Sequence, residues 1–471
     1  MTMIPVTTFA GKTVAVFGLG GSGIATAKAL IAGGATVAAW DDGEAGRAAA
    51  QKAGIPLVDL NTADWAKFAA LVLAPGVPLT HPEPHWTVHK AIAAKIEIIG
   101  DIELFCRERN AHCPEAPFIA ITGTNGKSTT TSLIAHILKQ AGRDAQMGGN
   151  IGVPILALDA LVEDRFYVIE MSSFQIDLTP SLNPTVGVLL NITPDHIDRH
   201  GTVENYAAIK GRLIKQSALP VVGLQAVPSV ILLPDIAQDG NLVIEVLISA
   251  ADHADIYWRD AQLWRDGADR ALVNLADVAT LRGAHNGENA AAAFGALSVL
   301  RDQGLDDATI AQHMHTYPGL VHRMEEIGRV GDVLFINDSK ATNADSTEKA
   351  LLSFPQNVYW ILGGKPKEGG IEPLVPLFPA VMKAYLIGAA TDEFAKTLEG
   401  HVPYERCGTL DVAVAHAARD AASISGNLGQ PVVLLSPACA SYDQFKSFEH
   451  RGDTFRDLVI ALPGFTARGK A

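Results

Sequence analysis

Residues 120–134 read AITGTNGKSTTTSLI. A short apolar run ends in threonine and glycine. One lysine and one serine follow, and then Leu133, Ile134, Ile137 and Leu138 recur at helical spacing, with Gly142 as a stop. Strand, glycine turn and helix is the order in which backbone N–H groups cradle phosphates, a lysine reaches the β/γ oxygens and a hydroxyl meets Mg2+. The strict G-x-x-x-x-G-K-[ST] spacing is not met, because residue 121 is isoleucine, and the form is a shortened G-T-N-G-K-S. A plain strand-to-helix turn could use the glycines, but it has no need of Lys127 and Ser128.

An earlier turn, VFGLGGSG at residues 16–23, fits G-x-G-x-x-G at Gly18, Gly20 and Gly23, ahead of the helical run IATAKALIAGG. Its glycines allow close backbone approach, and a helix start offers free N–H groups to a diphosphate. Asp41 lies about twenty residues on, where a nucleotide hydroxyl or base edge is bound in such folds. The pattern alone leaves three readings open: a nicotinamide or flavin dinucleotide, another nucleotide diphosphate, or a tight turn with no ligand.

With 48% apolar and 19% charged residues, the 471-residue chain has material for a large core and about three domains. No apolar run reaches the ~18 residues of a membrane span, and MTMIPVTTFAGKT does not read as a secretory signal. Cys106, Cys113, Cys407 and Cys439 show neither CxxC spacing nor a disulfide framework, which fits a reducing cytoplasm. A formal charge of −14 argues against a nucleic-acid or anionic-membrane surface, so any anions bind in local cradles.

Short Val/Ile-rich runs alternate with helical segments, the mark of α/β layers with parallel sheets. Residues 107–117 (RERNAHCPEAP) and 313–321 (HMHTYPGLV) read as linkers, dividing the chain into 1–110, 111–315 and 316–471. Residues 225–280 give no clear pattern. In open α/β sheets ligands gather beyond the carboxyl ends of the strands. At those ends stand GLGGSG, Asp41-Asp42, TGTNGKST, EMSSFQ, NITPDHIDRH, NDSKATN, GGKPK and SPACASYDQF. Glu170, directly after a strand, suits a carboxylate that supports a nucleotide-bound Mg2+. His196 and His200 have i,i+4 spacing, but the run lacks the H-E-x-x-H pattern, which argues against zinc.

TGTNGKS, EMSSFQ, NITPDHIDRH, His285-Asn286, His322-Arg323, NDSKATN and LSPACASYDQFKSFEHRG occur together in this order. The chain thereby resembles the Mur ligase family over essentially its whole length, least over 225–280, and the last motif points to the branch that adds D-glutamate. The resemblance implies a Rossmann-like N-terminal domain that holds the UDP of UDP-N-acetylmuramoyl-L-alanine, a central ATP-binding domain and a Rossmann-like C-terminal domain that binds D-glutamate. It further implies that Gly20, Gly21, Ser22, Asp41, Gly76, Asn150 and Ser172 face the UDP substrate. Thr124, Asn125, Gly126, Lys127, Ser128, Thr129, Asn286, Asn289, Arg323, Asp338 and Lys340 would contact ATP. Thr342, Lys367, Ser441 and Phe448 would hold D-glutamate.

Two Mg2+ ions are implied, one on Ser128 and Glu170, the other on His196 and a carbamylated Lys210. A plain ammonium would repel the metal, whereas a carbamate supplies anionic oxygens. Lys127, His196 and Lys210 would carry the catalysis, and a cytoplasmic monomer acting in peptidoglycan precursor synthesis is expected. Two departures touch the last domain: Lys365-Pro366 puts a second lysine beside Lys367, and Tyr442 stands where an aliphatic residue is expected. The rivals are a folylpolyglutamate synthase-like ligase, which would lack the UDP domain, and a dinucleotide-dependent oxidoreductase. A non-catalytic nucleotide sensor should have lost Lys127, Glu170 or Lys210, and all three are present.

Overall fold

Three sheets follow one another along the chain, in a computed structural model that describes residues 3–224, 244–247, 254–366, 369–423 and 429–467. The first is parallel, in the order β2-β1-β3-β4, from β1 (Thr13–Phe17), β2 (Thr36–Trp40), β3 (Ala70–Leu73) and β4 (Glu97–Ile99). Strands such as VAVF after Thr13 and ALVL are continuous apolar runs because parallel sheets are covered on both faces. The register pairs Phe17 with Trp40 on one side and Leu73 on the other. The residues that follow, from Gly18, Asp41 and Ala74, therefore leave the sheet side by side.

The second sheet has nine strands in the order β13-β12-β11-β10-β9-β8-β5-β7-β6. They are β5 (Phe118–Thr122), β6 (Ala145–Gly149), β7 (Phe166–Glu170), β8 (Val186–Leu189), β9 (Leu219–Gly223), β10 (Ile244–Leu247), β11 (Ile256–Arg259), β12 (Gln262–Arg265) and β13 (Val273–Asn274). It is parallel as far as β11, and β12 and β13 close its edge antiparallel. β5 lies between β7 and β8, pairing Ile121 with Glu170 and Thr122 with Leu189, so the TGTNGKS turn emerges between the ends of those two strands.

The third sheet runs β18-β17-β16-β19-β15-β14-β20, from β14 (Glu325–Val330), β15 (Val333–Asn337), β16 (Val358–Gly363), β17 (Val381–Ile387), β18 (Tyr404–Gly408), β19 (Val432–Leu435) and β20 (Phe465–Ala467). Its first five strands are parallel, and β14 and β20 add an antiparallel edge. The α/β class is thus as expected. Contacts group the chain into two compact units, residues 1–275 with 286–317, and residues 276–285 with 318–471. Among the described residues no helix is long and apolar enough to cross a membrane.

The supposed linker 107–117 differs from expectation. Residues 107–112 are the last turns of the helix Asp101–His112, and their charges are engaged. Arg107 bridges Glu97 and Glu103, Glu108 accepts from the backbone N–H of Thr8, and Arg109 donates to the carbonyl of Ala116 at 2.7 Å. The polar composition that suggested a linker reflects tertiary pairing, with Glu103, Glu108 and Arg109 buried. His313 and Met314 likewise belong to the helix Asp307–Met314. Of the unread segment 225–280, the part from residue 254 contains the antiparallel pair β11–β12, and 225–243 and 248–253 lie outside the described residues.

Candidate active site

Both glycine turns are shaped by contacts that exclude side chains. A Cβ on Gly23 would stand 1.8 Å from the carbonyl oxygen of Gly18, so helix Gly21–Ala32 can pack this close to the turn only with glycine there. In the second turn Gly126 has φ +86°, and its Cβ would lie 2.1 Å from Oδ1 of Asn289. Helices Gly21–Ala32 and Lys127–Gln140 both start without a side-chain cap and without an acidic residue in the first turn. Their leading N–H groups keep the polarity that suits an anion.

At the first turn the Asp41 carboxylate accepts from the backbone N–H groups of Leu19 (2.6 Å) and Gly43 (2.7 Å), fastening the β2 end to the glycine turn. Its neighbour Asp42 meets the indole N–H of Trp86 and Nε2 of His85, each at 3.1 Å. The Arg47 guanidinium lies 5.0 Å over the Trp40 ring. Gly20 and Gly21 are exposed and Ser22 is half-buried. The exposed Gly76 offers its carbonyl to Arg199 of the DHIDRH run at 3.1 Å. Ser172 is occupied as a helix cap, its hydroxyl accepting from the Gln175 N–H at 3.2 Å.

Around the second turn, Asn191 at the end of β8 holds the loop from both sides. Its Oδ1 accepts from the Asn125 N–H at 2.9 Å, and its amide donates to the Asn125 carbonyl at 3.2 Å. The Thr124 hydroxyl lies 3.2 Å from the Tyr206 hydroxyl, and the Lys127 ammonium donates to the carbonyls of Gly123 and Thr124. Ser128 is half-buried and Thr129 buried at the start of the helix. Asn286 and Asn289, linked at 3.1 Å, approach through Asn289, whose Oδ1 accepts from Thr130.

Glu170 and Lys210 give the site its charge. Glu170 Oε1 accepts from the Asn150 amide at 2.7 Å. Its Oε2 is buried with no hydrogen-bond partner among the described residues, the condition of a carboxylate oxygen reserved for a cation. Lys210, on the helix Val203–Lys215, is 1% exposed and donates to the Thr122 hydroxyl and the Gly123 carbonyl. Burial, reinforced by the Lys127 charge, holds its pKa well below the lysine range. His196 is half exposed, with Nε2 3.4 Å from Asp195. The second histidine of the pair, His200, faces Ser173 instead at 2.8 Å and stacks on Phe174, and burial lowers its pKa to about 4.

In the second unit the NDSKATN turn leaves β15 tied to its neighbours. Asp338 accepts from the Met324 N–H (3.1 Å) and the Ser436 hydroxyl (2.9 Å), and complete burial pushes it up to about 7. The Lys340 ammonium lies 4.0 Å over the Phe448 ring. Ser339 binds the Phe448 carbonyl, and buried Arg451 binds Ser339 and the Cys439 carbonyl. Ser441 is buried, Arg323 and Thr342 are half-buried, and Tyr442 is exposed. Lys367 lies outside the described residues.

Comparison with known proteins agrees with this arrangement. The Mur ligase middle domain matches residues 121–297, and the Mur ligase glutamate ligase domain matches residues 322–439. The chain is 58% identical over 466 residues to the UDP-N-acetylmuramoylalanine–D-glutamate ligase of Brucella abortus, covering 98% of each. Against the enzyme of that name from Agrobacterium fabrum it is 55% identical over 468 residues, again 98% of each.

The chain belongs to the Mur ligase family.

A solved UDP-N-acetylmuramate–alanine ligase from Thermotoga maritima shares the fold at 16% identity, with a TM-score of 0.57 over 95% of this chain and 98% of that one. In this Mur ligase the sequence reading had named no role for Asn191, Tyr206, Ser436 or Arg451. Asn191 opens NITPDHIDRH at a strand end, which was the signal available for it. Tyr206 and Arg451 act through tertiary contacts that their local sequence does not display.

Proposed function

We propose that this Mur ligase joins the amine of D-glutamate to the carboxyl group of UDP-N-acetylmuramoyl-L-alanine, cleaving ATP to ADP and phosphate, in peptidoglycan precursor synthesis. The end-to-end likeness to relatives named for D-glutamate addition carries this reading, because it takes in both glycine turns and the second unit together. Neither rival is favoured by it.

Amide formation from a carboxylate in water is uphill, so the carboxylate is activated first. One of its oxygens attacks the γ-phosphorus of ATP, ADP leaves, and an acyl phosphate results. The amine nitrogen of D-glutamate then attacks the acyl carbon, a proton leaves the nitrogen, and the tetrahedral intermediate expels phosphate. Catalysis of this kind is largely positioning and charge neutralisation.

The N–H groups of Thr124 to Thr129 are assigned to the phosphates, Lys127 to the developing phosphoryl charge, and Asn286, Asn289, Arg323, Asp338 and Lys340 to the rest of the nucleotide. Gly20, Gly21, Ser22, Asp41, Gly76, Asn150 and Ser172 are assigned to the UDP substrate, with Asp41 shaping the turn. Thr342, Lys367, Ser441 and Phe448 are assigned to D-glutamate, whose two carboxylates call for hydroxyl and cationic donors. Functional domains at 1–110, 111–315 and 316–471 complete the reading, with a cytoplasmic monomer as the working form.

The donors suit Mg2+, which when bound neutralises phosphoryl charge. Ser128 and Glu170 would hold one ion, as the unpartnered Oε2 of Glu170 supports. His196 and a carbamylated Lys210 would hold the other. Its depressed pKa favours the free amine of Lys210, the form that adds to carbon dioxide. His196 is also the candidate acceptor of the amine proton.

The test is ADP release in the presence of UDP-N-acetylmuramoyl-L-alanine, with D-glutamate present or withheld. Release should require both. Preference for L-glutamate or another amino acid would overturn the assignment of the second unit.

A further inference from the structure

The edge of the third sheet carries a polar cluster with no part in the reaction above. On β18, Glu405 and Cys407 are half-buried and flank Arg406, where the pairing with β17 slips by one residue and Cys407 has no partner in register. The helix Leu410–Ala422 packs there and supplies His416 and, one turn on, Asp420. His416 Nδ1 stands 2.5 Å from Glu405 Oε1. The donor atoms of Glu405, Cys407 and His416 all lie within 4.8 Å of one another, the one such group of three found among the described residues. Cys407 is a free thiol.

We propose that Glu405, Cys407 and His416 form a binding site for a thiophilic divalent transition-metal ion, represented by Zn2+, bracing the edge strand β18 against the helix Leu410–Ala422. Thiolate, imidazole and carboxylate together select such ions over Mg2+, which takes oxygen donors. Three protein ligands leave a fourth tetrahedral position for water. Bonds of about 2.0–2.3 Å set tetrahedral donors roughly 3.3–3.7 Å apart, so His416 and Glu405 part by about an ångström as the ion enters between them.

The neighbours allow this. Lys383 now bridges Glu405 (2.8 Å) and Asp420 (2.7 Å), and Asp420 alone can keep it. Tyr385 and Arg419 also hold Asp420 in place. Glu405 and the Cys407 thiolate bring two negative charges to the ion, and the thiol proton leaves to solvent. About a third of each of the His416 and Glu405 side chains is exposed, which gives the ion a route in. β18 is four strand positions from β15, the strand that leads into Asp338 and Lys340, or about 19 Å.

Titration of the full chain with Co2+ under excess Mg2+ tests the site. One ion should bind per chain and produce thiolate-to-cobalt charge-transfer absorption, which Zn2+ then bleaches. Cys407→Ser should abolish that band. His416→Ala should weaken binding at least about tenfold while the band persists at saturation. Because Cys106, Cys113 and Cys439 are buried elsewhere, the band reports on Cys407. Absence of the band in the unaltered protein overturns the proposal, as does its survival in Cys407→Ser. ADP release, measured separately, bears on the reaction and leaves this result independent of it.

Discussion

Lys210 donates to the carbonyl oxygen of Gly123 at 2.9 Å, so a lysine from one helix closes on the first glycine of the TGTNGKS loop in a place where solvent scarcely reaches. An ammonium there has lost its hydration and faces Lys127 besides, and both effects favour the neutral amine. Lys210→Ala should lower turnover about a hundredfold or more, and acetate should restore part of it. Steady-state ADP release over an acetate series checks this, and a flat series would count against the metal-ligand role. Lys210→Met, which keeps bulk and replaces the buried amine by an apolar group, should leave the melting temperature nearly unchanged while activity falls.

Glu170 offers a second probe. With Oε1 bound by Asn150 and Oε2 unpartnered, Glu170→Gln should fold normally and keep the Asn150 contact at its amide oxygen. The Mg2+ concentration for half-maximal ADP release should rise about ten- to a hundredfold, by analogy with other losses at metal sites. An unchanged Mg2+ requirement would remove Glu170 from the ion's ligands.

At Gly126 the fit leaves no slack. Gly126→Ala adds a Cβ where Asn289 Oδ1 stands 2.1 Å away and demands a positive φ of a residue with a side chain. A destabilisation of about 1–3 kcal/mol is expected from the backbone alone, with loss of ATP-induced thermal stabilisation. Gly142→Ala is the control, since its φ is +75° but nothing lies within 4 Å of the added carbon. It should lose stability and keep nucleotide binding.

Asp338 sets a pH dependence. In the folded protein it holds its proton up to about pH 7, whereas an unfolded chain releases it near 3.8. Between those values the folded state carries the extra proton, so this group's contribution to stability falls as pH rises from about 4 to 7, then levels off. The effect amounts to a few kcal/mol at most. Asp338→Asn can accept from Met324 and donate to Ser436, so it should match the parent protein near pH 4, where both stay neutral, and exceed it in urea unfolding at pH 8.

The strands and the two turns were legible because buried parallel strands read as continuous apolar runs and polar residues gather at their ends. Lys127, Ser128 and Glu170 followed from that rule. Lys210 did not, since a lysine on a helix normally faces water, and only the family motif marked it. Arg109 and Glu108 were read as linker because local polarity does not reveal a partner at Ala116 or Thr8. Asp41 stands at its strand end as expected, but its use of the Leu19 N–H spans 22 residues and is invisible to a local pattern.

The bonds from Lys127 to the carbonyls of Gly123 and Thr124 have one further meaning. With these two bonds the side chain satisfies two carbonyl oxygens and holds the curve of the loop. On the proposed function, phosphoryl oxygens of the nucleotide would replace those acceptors at a lysine already turned toward the loop. The same ammonium would thus shape the seat and neutralise its occupant, and Lys127→Met would remove both contributions at once.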